Sequence, residues 1–305
     1  MTKTVLVTGA SGFIGSHLAS TLVEDGYDVR AMTRHPETYD GPGEAVAGDV
    51  NDRASLDAAL DGIDAAYYLV HSLESHDFRK KDARGARNFT AACSQARIER
   101  IIYLGGLGSD DDELSDHLRS RREVEHLLGE GDCPVTTLLA AVIIGHGSIS
   151  WEIIRQLVDH LPALLTPRWV NTRTQPIALP DVVRYLVGVL EPAEARGKTY
   201  EIGGPDVLRY IDMLTRAARV RGKSLPNITV PVLTPRLSSA WLALVTDVNM
   251  TTARNLVDSM TTEVTVRGHS ILDLLPGSTI GYEEAVRLAL ADRARSKSDR
   301  AAPGE

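Results

Sequence analysis

Residues 5–19 read VLVTGASGFIGSHLA, an apolar run followed at once by a glycine-rich turn and a helix-like segment. The β-branched run predicts a buried strand. Gly9, Gly12 and Gly15 then allow a tight turn, close approach of backbone N–H groups to a pyrophosphate, and close packing of helix on strand. This context predicts a dinucleotide site, with a glycine-rich turn that binds nothing as the alternative. The expected cofactor contacts in the turn are Gly9, Ser11, Gly12, Phe13, Ile14 and Gly15.

Strand-like and helix-like segments alternate through the first half of the chain. Runs such as TVLVT, DVRAMT, AAYYLV and RIIYLG are separated by segments of helical periodicity. This alternation predicts an α/β fold, a doubly wound parallel sheet of the Rossmann type. The pattern loosens after Gly145, which predicts a smaller, partly interleaved C-terminal α+β lobe. We expect a Rossmann core over 1–147, a substrate lobe with returning core elements over 148–290, and a polar tail over 291–305.

Composition excludes some classes of function. Lys and Arg total 33 against 41 Asp and Glu, a net charge of −8, which argues against nucleic acid as a partner. No apolar stretch is long enough for a signal segment or a membrane span. Cys93 and Cys133 lie far apart and form no CxxC, so we predict neither a disulfide nor a metal site. A cytoplasmic protein is expected.

The end of the second strand predicts which cofactor is bound. A carboxylate there would accept hydrogen bonds from the ribose 2′-OH of NAD, whereas an arginine offers a forked cation to a 2′-phosphate. The chain has Thr33 and Arg34 at this point and no carboxylate before Glu37. We therefore predict NADP, with NADPH preferred over NADH. The alternative is that Arg34 is a solvated loop residue.

The ends of the third and fourth strands supply further candidates. Asp49 and Val50 follow the third strand, near the expected adenine, although Asp49 has turn formation as its alternative. Leu69, Val70 and His71 end the fourth strand and are expected beside the ribose or nicotinamide. His71 has the alternative of simply closing that strand.

Residues 115–126 read SDHLRSRREVEH, a helix-like stretch rich in basic side chains. If Val124 and Leu128 face the core, stepping back along the same stripe gives Arg121 and His117. Burying these two without a partner would be costly, so we expect them to face a ligand or each other. The remaining charged residues are expected on the outer face: Arg119, Arg122, Glu123 and His126. Arg119 and Glu123 are expected to form an i,i+4 ion pair there.

The G-x-x-G-x-x-G spacing and the motif TGASGFIG resemble those of the short-chain dehydrogenase/reductase superfamily, in its extended and atypical branches. The segments RIIYLGGLGSDDDELSDHLRSRREVE, LTPRWVNTRTQPIALPDV and TYEIGGPD resemble NmrA-like NAD(P)-binding proteins. That group includes reductases and also NADP-binding regulators with no demonstrated turnover. The resemblance therefore implies an NADP(H)-binding protein and leaves both functions open.

The same resemblance implies where the chemistry is located. Most members carry Tyr-x-x-x-Lys on this helix, but none of the nine tyrosines here is followed by Lys four residues later. His117 and Arg121 occupy the matching positions, so the resemblance assigns them as catalytic. It implies that Arg121 also holds the nicotinamide ribose and that His117 donates the proton. Gly105 and Gly106 stand where related enzymes supply Ser or Thr to the substrate.

A substrate pocket is predicted from the segment PRWVNTRTQPI together with the fifth strand. Arg168, Trp169 and Gln175 offer a planar apolar wall and polar donors beside Gly105 and Gly106, although loop arginines are commonly solvated. We expect a reductase that transfers hydride to a carbonyl, enone or quinone-type acceptor. A redox-sensing regulatory protein is the alternative, and a sugar-nucleotide epimerase or dehydratase is the second one. A small-molecule substrate is expected, while a homodimer and a regulatory protein partner stay open.

Overall fold

The computed structural model describes residues 2–72, 75, 77–108, 114–160, 164–166, 168–229, 255, 257–268 and 270–301. The strands are β1 Thr4–Thr8, β2 Asp28–Thr33, β3 Glu44–Ala47, β4 Ala65–Tyr68, β5 Arg100–Gly106, β6 Val135–Ala140, β7 Ile143–Ile144, β8 Leu164–Thr166, β9 Arg173–Thr174, β10 Ile177–Ala178, β11 Thr199–Ile202, β12 Leu208–Arg209 and β13 Asn227–Thr229. The helices are α1 Phe13–Glu24, α2 Arg53–Ala59, α3 Phe78–Ala96, α4 Asp116–Leu128, α5 Ile149–His160, α6 Leu179–Gly188, α7 Tyr210–Val220, α8 Ser270–Leu274 and α9 Tyr282–Ala301.

Seven strands form one sheet in the order β11-β6-β5-β4-β1-β2-β3. Every pairing in this sheet is parallel. Parallel strands need crossover connections, and the helices that supply them cover both faces of the sheet. The predicted doubly wound Rossmann architecture is confirmed.

The two faces of the sheet bury separate apolar layers. On one face α1 and α6 pack against inward side chains such as Val5, Val7 and Tyr67. On the other face α2, α3 and α4 pack against a second set that includes Leu6 and Ile101. The strands read as continuous apolar runs because both of their faces are covered.

A smaller lobe follows the sixth strand. The apolar run VTTLLAAVIIG over residues 135–145 is divided between two strands, since β6 ends at Ala140 and the short β7 pairs instead with β10. Helices α5, α7 and α9 surround a separate apolar core that contains Trp151 and Met213. Strand β11 then returns to the edge of the main sheet beside β6, so the lobe and the sheet are interleaved as expected.

The C-terminal helix α9 continues as far as Ala301, into the segment predicted to be a polar extension. None of the helices in the described part of the chain is long and apolar enough to cross a lipid bilayer.

The turn between β1 and α1 depends on glycine at two positions. Gly9 has φ +66°, in the left-handed region that favours glycine. A Cβ on Gly15 would lie 2.2 Å from the carbonyl oxygen of Gly9, closer than atoms can approach. The first turn of α1 therefore packs directly on the backbone that leaves β1.

We expect Gly15→Ala to lower the free energy of unfolding by about 1–3 kcal/mol, because the added methyl must push α1 away from the Gly9 carbonyl. Thermal and denaturant unfolding measure the loss. Gly268→Ala is the control, since a Cβ there meets nothing within 4 Å. Equal stability of the Gly15 and Gly268 variants would contradict the packing argument.

Candidate cofactor and substrate site

Two connected cavities open at the carboxyl ends of the strands, with volumes of about 690 Å³ and about 410 Å³. Gly9, Gly12, Leu69 and His71 line both of them, so they form one continuous cleft. The cleft lies where the strand order turns from β1 towards β2 on one side and towards β4 on the other. Open parallel sheets bind their ligands at such a switch point.

All of the predicted cofactor residues line this cleft. The larger cavity contains Gly9, Ser11, Gly12, Arg34, Asp49, Val50, Leu69, Val70 and His71. The smaller cavity contains Gly9, Gly12, Phe13, Ile14, Gly15, Leu69, His71 and Arg121. The structure therefore brings together residues from four strand ends and from the two helices α1 and α4, although their roles toward a cofactor stay predictions.

The start of α1 can receive an anion. Its N-cap is Gly12, which has no side chain to bond the free N–H groups, and its first turn contains no acidic residue. The unsatisfied N–H groups and the positive end of the helix dipole therefore face the cleft. A pyrophosphate fits this donor set.

The end of β2 carries a cation into the larger cavity. Arg34 is exposed, and among the described residues it has neither a hydrogen-bond partner nor an ion-pair partner. The nearest carboxylate in sequence, Glu37, is directed to His35 at 3.4 Å. Thr33 accepts a hydrogen bond from the His35 N–H at 3.3 Å, which shapes the turn. This geometry leaves the Arg34 guanidinium available to an anion.

Helix α3 adds two basic residues that sequence reasoning missed. Lys81 and Arg84 lie one turn apart and line the same cavity as Arg34. Arg84 donates from Nε to Asn51 Oδ1 at 2.9 Å. Their spacing in the sequence did not indicate a binding site, because two basic residues three positions apart on a polar helix are typical of a solvated face.

Asp49 shapes a turn in addition to lining the cavity. Its Oδ1 accepts a hydrogen bond from the N–H of Asn51 at 2.8 Å. Asp52 caps α2 by accepting from the N–H of Ala54 at 3.2 Å. The turn-forming alternative for Asp49 is therefore realised in this structure.

The smaller cavity contains the predicted pair on α4. His117 and Arg121 line it together with Gly105 and Gly106 from the end of β5. Val124 and Leu128 are buried, so the stripe from His117 to Leu128 faces inward as expected. Ser115 begins the helix by accepting the N–H of Leu118 at 3.2 Å.

The two glycines of β5 have a packing reason to be glycine. A Cβ on Gly105 would lie 2.9 Å from Leu139 Cδ2, and one on Gly106 would lie 3.0 Å from Leu118 Cδ2. A Cβ on Gly106 would also approach Arg121 Cγ to 3.6 Å. Gly106 therefore allows α4 to lie close against β5, whereas Gly105 makes room for Leu139 on the neighbouring strand β6, and a Ser or Thr at either position would have to displace a leucine.

Charge in the smaller cavity is set by Arg121. Desolvation, followed by the Arg121 charge, lowers the pKa of the half-buried His117 to about 3. Desolvation and then Arg121 also lower the pKa of His71, although that residue keeps contact with solvent. Neutral imidazole is thus the resting form of His117 at pH 7. The sequence led us to expect that His117 donates a proton near neutral pH. With a pKa of about 3, the imidazolium form is not populated at that pH and does not supply this proton.

A buried carboxyl group lies behind this pair. Asp82 on α3 accepts from the N–H of Ser72 at 2.8 Å and from the hydroxyl of Ser120 at 3.3 Å. Desolvation raises the pKa of Asp82, whereas the Arg121 charge opposes that rise. The charge of Arg121 therefore lowers the pKa of both groups, because it favours the neutral imidazole of His117 and the ionised carboxyl of Asp82.

The outer face of α4 differs from the sequence expectation in its pairing. Arg119 donates from Nε to the carbonyl of Leu114 at 2.7 Å, and Glu123 lies 3.8 Å from Arg79 on α3. The expected Arg119–Glu123 pair is absent from the described contacts because each group has a different partner. Arg122 is held by Glu125 at 2.7 Å and by the Gly108 carbonyl, so it is not simply solvated.

The predicted substrate residues of the lobe are only partly described. Gln175 is buried, donates to the Gly204 carbonyl at 2.7 Å and accepts the Val266 N–H at 3.0 Å. Its amide therefore holds backbone and lines neither of the two cavities, which corrects the substrate assignment. The side chains of Arg168 and Trp169 lie outside the described residues. Arg173, their neighbour, pairs with Glu263 at 2.9 Å.

The inner wall of the smaller cavity comes from the segment after β6. Ala140, Ala141 and Ile143 line it, followed by Ser148 at the start of α5. Ala140 ends β6, so this apolar segment begins at the carboxyl end of a strand, which explains why it reaches the cleft. Ser148 was missed because its hydroxyl carries no motif; it donates to the Ile143 carbonyl at 2.8 Å.

Comparison with known proteins agrees with this geometry. Residues 9–158 match the model of a protein family described as NAD(P)H-binding. The chain is 31% identical over 176 residues to (4-alkanoyl-5-oxo-2,5-dihydrofuran-3-yl)methyl phosphate reductase of Streptomyces griseus. That match covers 54% of this chain and 59% of the relative, so the chain spans little more than half of that protein.

Solved structures share the fold over nearly the whole chain. The NADPH-dependent quinone oxidoreductase of Escherichia coli, complexed with NADPH, has a TM-score of 0.76 at 19% identity, covering 93% of this chain and 98% of that one. The triphenylmethane reductase of a Citrobacter species, complexed with NADP(H), has a TM-score of 0.76 at 17% identity, covering 94% and 99%. At these identities the likeness establishes the architecture alone.

We expect Arg121→Gln to raise the pKa of His117 from about 3 towards its ordinary value, because the nearby cation disfavours the imidazolium. The same variant raises the pKa of Asp82 further, since Arg121 favours the ionised carboxyl. An NMR titration of the His117 ring measures the first shift.

Arg119→Gln is the control, because Arg119 is an exposed arginine of the same helix that is directed to Leu114. An unchanged or lower pKa of His117 in the Arg121 variant would contradict the assignment.

Proposed function

We propose that the chain, whose residues 9–158 form an NAD(P)-binding domain with reductase relatives, is an NADP(H)-dependent reductase of small molecules of the extended short-chain dehydrogenase/reductase type. The observation that carries the proposal is the continuous cleft, which joins an anion-receiving helix start to an inner end that carries the cation of Arg121. The 2′-phosphate specificity and the acceptor class are part of the proposal. So are a cytoplasmic location, supported by the buried free thiols of Cys93 and Cys133, and a small-molecule partner.

The residues of the larger cavity fit the cofactor. The start of α1 would hold the pyrophosphate, and Asp49 and Val50 would flank the adenine. Arg34 would bind the 2′-phosphate, with Lys81 adding positive charge from the opposite wall. No carboxylate competes for the ribose 2′ position at the end of β2, since Glu37 is engaged by His35.

The inner end of the cleft determines what kind of acceptor is suited to it. NADPH, when bound, supplies a hydride. Arg121 offers a fixed positive charge that stabilises negative charge developing on an acceptor oxygen. Ala140, Ala141 and Ile143 reduce access of water to this place. Because His117 does not rest as an imidazolium, the site favours enones and quinones, whose reduced oxygen is a stabilised anion, over isolated ketones.

A redox-sensing binding protein is the second candidate. The observation that favours it is the absence of Tyr-x-x-x-Lys, with His117 and Arg121 in the matching positions and two packed glycines in place of a Ser or Thr. Such a protein would use the same larger cavity to distinguish NADPH from NADP⁺ and would show no turnover. The two candidates therefore share cofactor binding and differ in catalysis.

We expect Arg34→Ala to weaken NADPH binding about tenfold and to leave NADH binding nearly unchanged, because only NADPH carries the 2′-phosphate. Calorimetric titration with both cofactors measures the two affinities. Arg287→Ala, at an exposed arginine paired with Glu284 on α9, is the matched control. Equal losses for the two cofactors would remove Arg34 from 2′-phosphate recognition.

We expect NADPH oxidation to be faster with quinones and enones than with simple ketones, and Arg121→Gln to reduce that turnover roughly a hundredfold through loss of oxyanion stabilisation. The absorbance of NADPH follows the reaction, and calorimetry on the same variant checks that the cofactor still binds. Tight NADPH binding with no turnover on any acceptor class, together with a large preference for one redox state, would favour the sensor.

A further inference from the structure

A serine from the C-terminal lobe contacts the predicted catalytic histidine. Ser259 lies in a helical segment over residues 257–259, and its Oγ is 3.3 Å from Nδ1 of His117. The same oxygen is 2.9 Å from the hydroxyl oxygen of Ser115, the N-cap of α4. It also lies 2.8 Å from the backbone carbonyl of Asn255, one helical turn earlier. Three groups therefore surround one hydroxyl.

The number of hydrogens determines the direction of each bond. A serine hydroxyl has one hydrogen to donate and two lone pairs that accept. The Asn255 carbonyl can only accept, so the Ser259 hydrogen is directed to it. Ser115 already accepts the Leu118 N–H through its oxygen, which leaves its own hydrogen for Ser259. The remaining lone pair of Ser259 then faces His117 and needs a donor.

This donor must be the Nδ1–H of His117. A neutral imidazole carries a single N–H, and the partner of one ring nitrogen sets the state of the other. With the hydrogen on Nδ1, Nε2 has a free lone pair. His117 lines the smaller cavity and is half-buried there, so the ring offers this lone pair to the cleft.

We propose that Ser259 is a positioning residue, which fixes His117 in the Nδ1–H tautomer so that the histidine presents a hydrogen-bond acceptor to the cleft. Beside it the Arg121 side chain can only donate. The pair is therefore complementary to a hydroxyl group, which donates to His117 and accepts from Arg121. That this ligand belongs to a cofactor-dependent reaction rests on the proposed function, whereas the tautomer does not.

The tautomer is measured on the full chain without cofactor or acceptor, by nitrogen-15 NMR of the imidazole ring at neutral pH. His117→Gln identifies the signals by their loss. We expect Nδ1 of His117 to have the shift of a protonated nitrogen and Nε2 that of an unprotonated one. A protonated Nε2 in the wild-type protein would overturn the proposal, whatever the cofactor experiments show.

Variants of Ser259 test whether the serine is the cause. Ser259→Ala should move the Nε2 shift towards that of a mixture of tautomers, whereas Ser259→Thr, which keeps the hydroxyl, should retain the wild-type shift. Ser20→Ala is the matched control, because Ser20 also bonds the carbonyl four residues earlier but contacts no cleft residue. An unchanged Nε2 shift in the alanine variant, or loss of the tautomer in the threonine variant, would refute the role of Ser259.

Discussion

The fold depends on the contact between the first turn of α1 and the carbonyl of Gly9. A hypothetical Cβ on Gly15 would lie 2.2 Å from the carbonyl oxygen of Gly9, so there is no room for a side chain at that position. The close approach places the positive end of α1 directly over the end of β1, the strand at which the sheet order reverses. A helix held further away by even a methyl group would direct its free N–H groups past the cleft.

The charge of the side chains that line the cleft, and not the net charge of the chain, determines which ligands the cleft can bind. The chain carries a net charge of −8, yet the two cavities contain Arg34, Lys81, Arg84 and Arg121. Arg34, Lys81 and Arg84 are exposed and act on an anion at short range, whereas Arg121 is partly buried and its charge is screened less. An acidic protein can therefore hold a polyanionic cofactor, because the two cavities are lined, among the described residues, by these four cations and by a single carboxylate, that of Asp49.

The sequence was sufficient for the fold and for one wall of the site, for reasons visible in particular residues. Alternating strands and helices predict a parallel sheet, and strand ends such as Asp49 and His71 converge on one edge by topology alone. Lys81 and Arg84 were missed because a helix face has no direction until its packing partner is known. Gln175 was misassigned, since its buried amide bonds a backbone carbonyl and N–H that are far apart in sequence. The same reason hid Ser259, which is 142 residues from His117.

The histidine at position 117 changes what the lobe has to do. A phenol in this place would have one polar atom and no tautomers, so its orientation would depend only on its own helix and strand. An imidazole has two nitrogens, and its chemistry towards the cleft is decided by whichever group occupies the far one. Here that group is Ser259, which belongs to the lobe, while desolvation and, after it, the charge of Arg121 on the same helix lower the pKa of the ring and keep it neutral. Under the proposed tautomer, a shift of the lobe away from α4 would free Nδ1 and leave the proton on His117 without a fixed position. The lobe would then act on the site through the placement of one hydrogen as well as through the shape of the pocket.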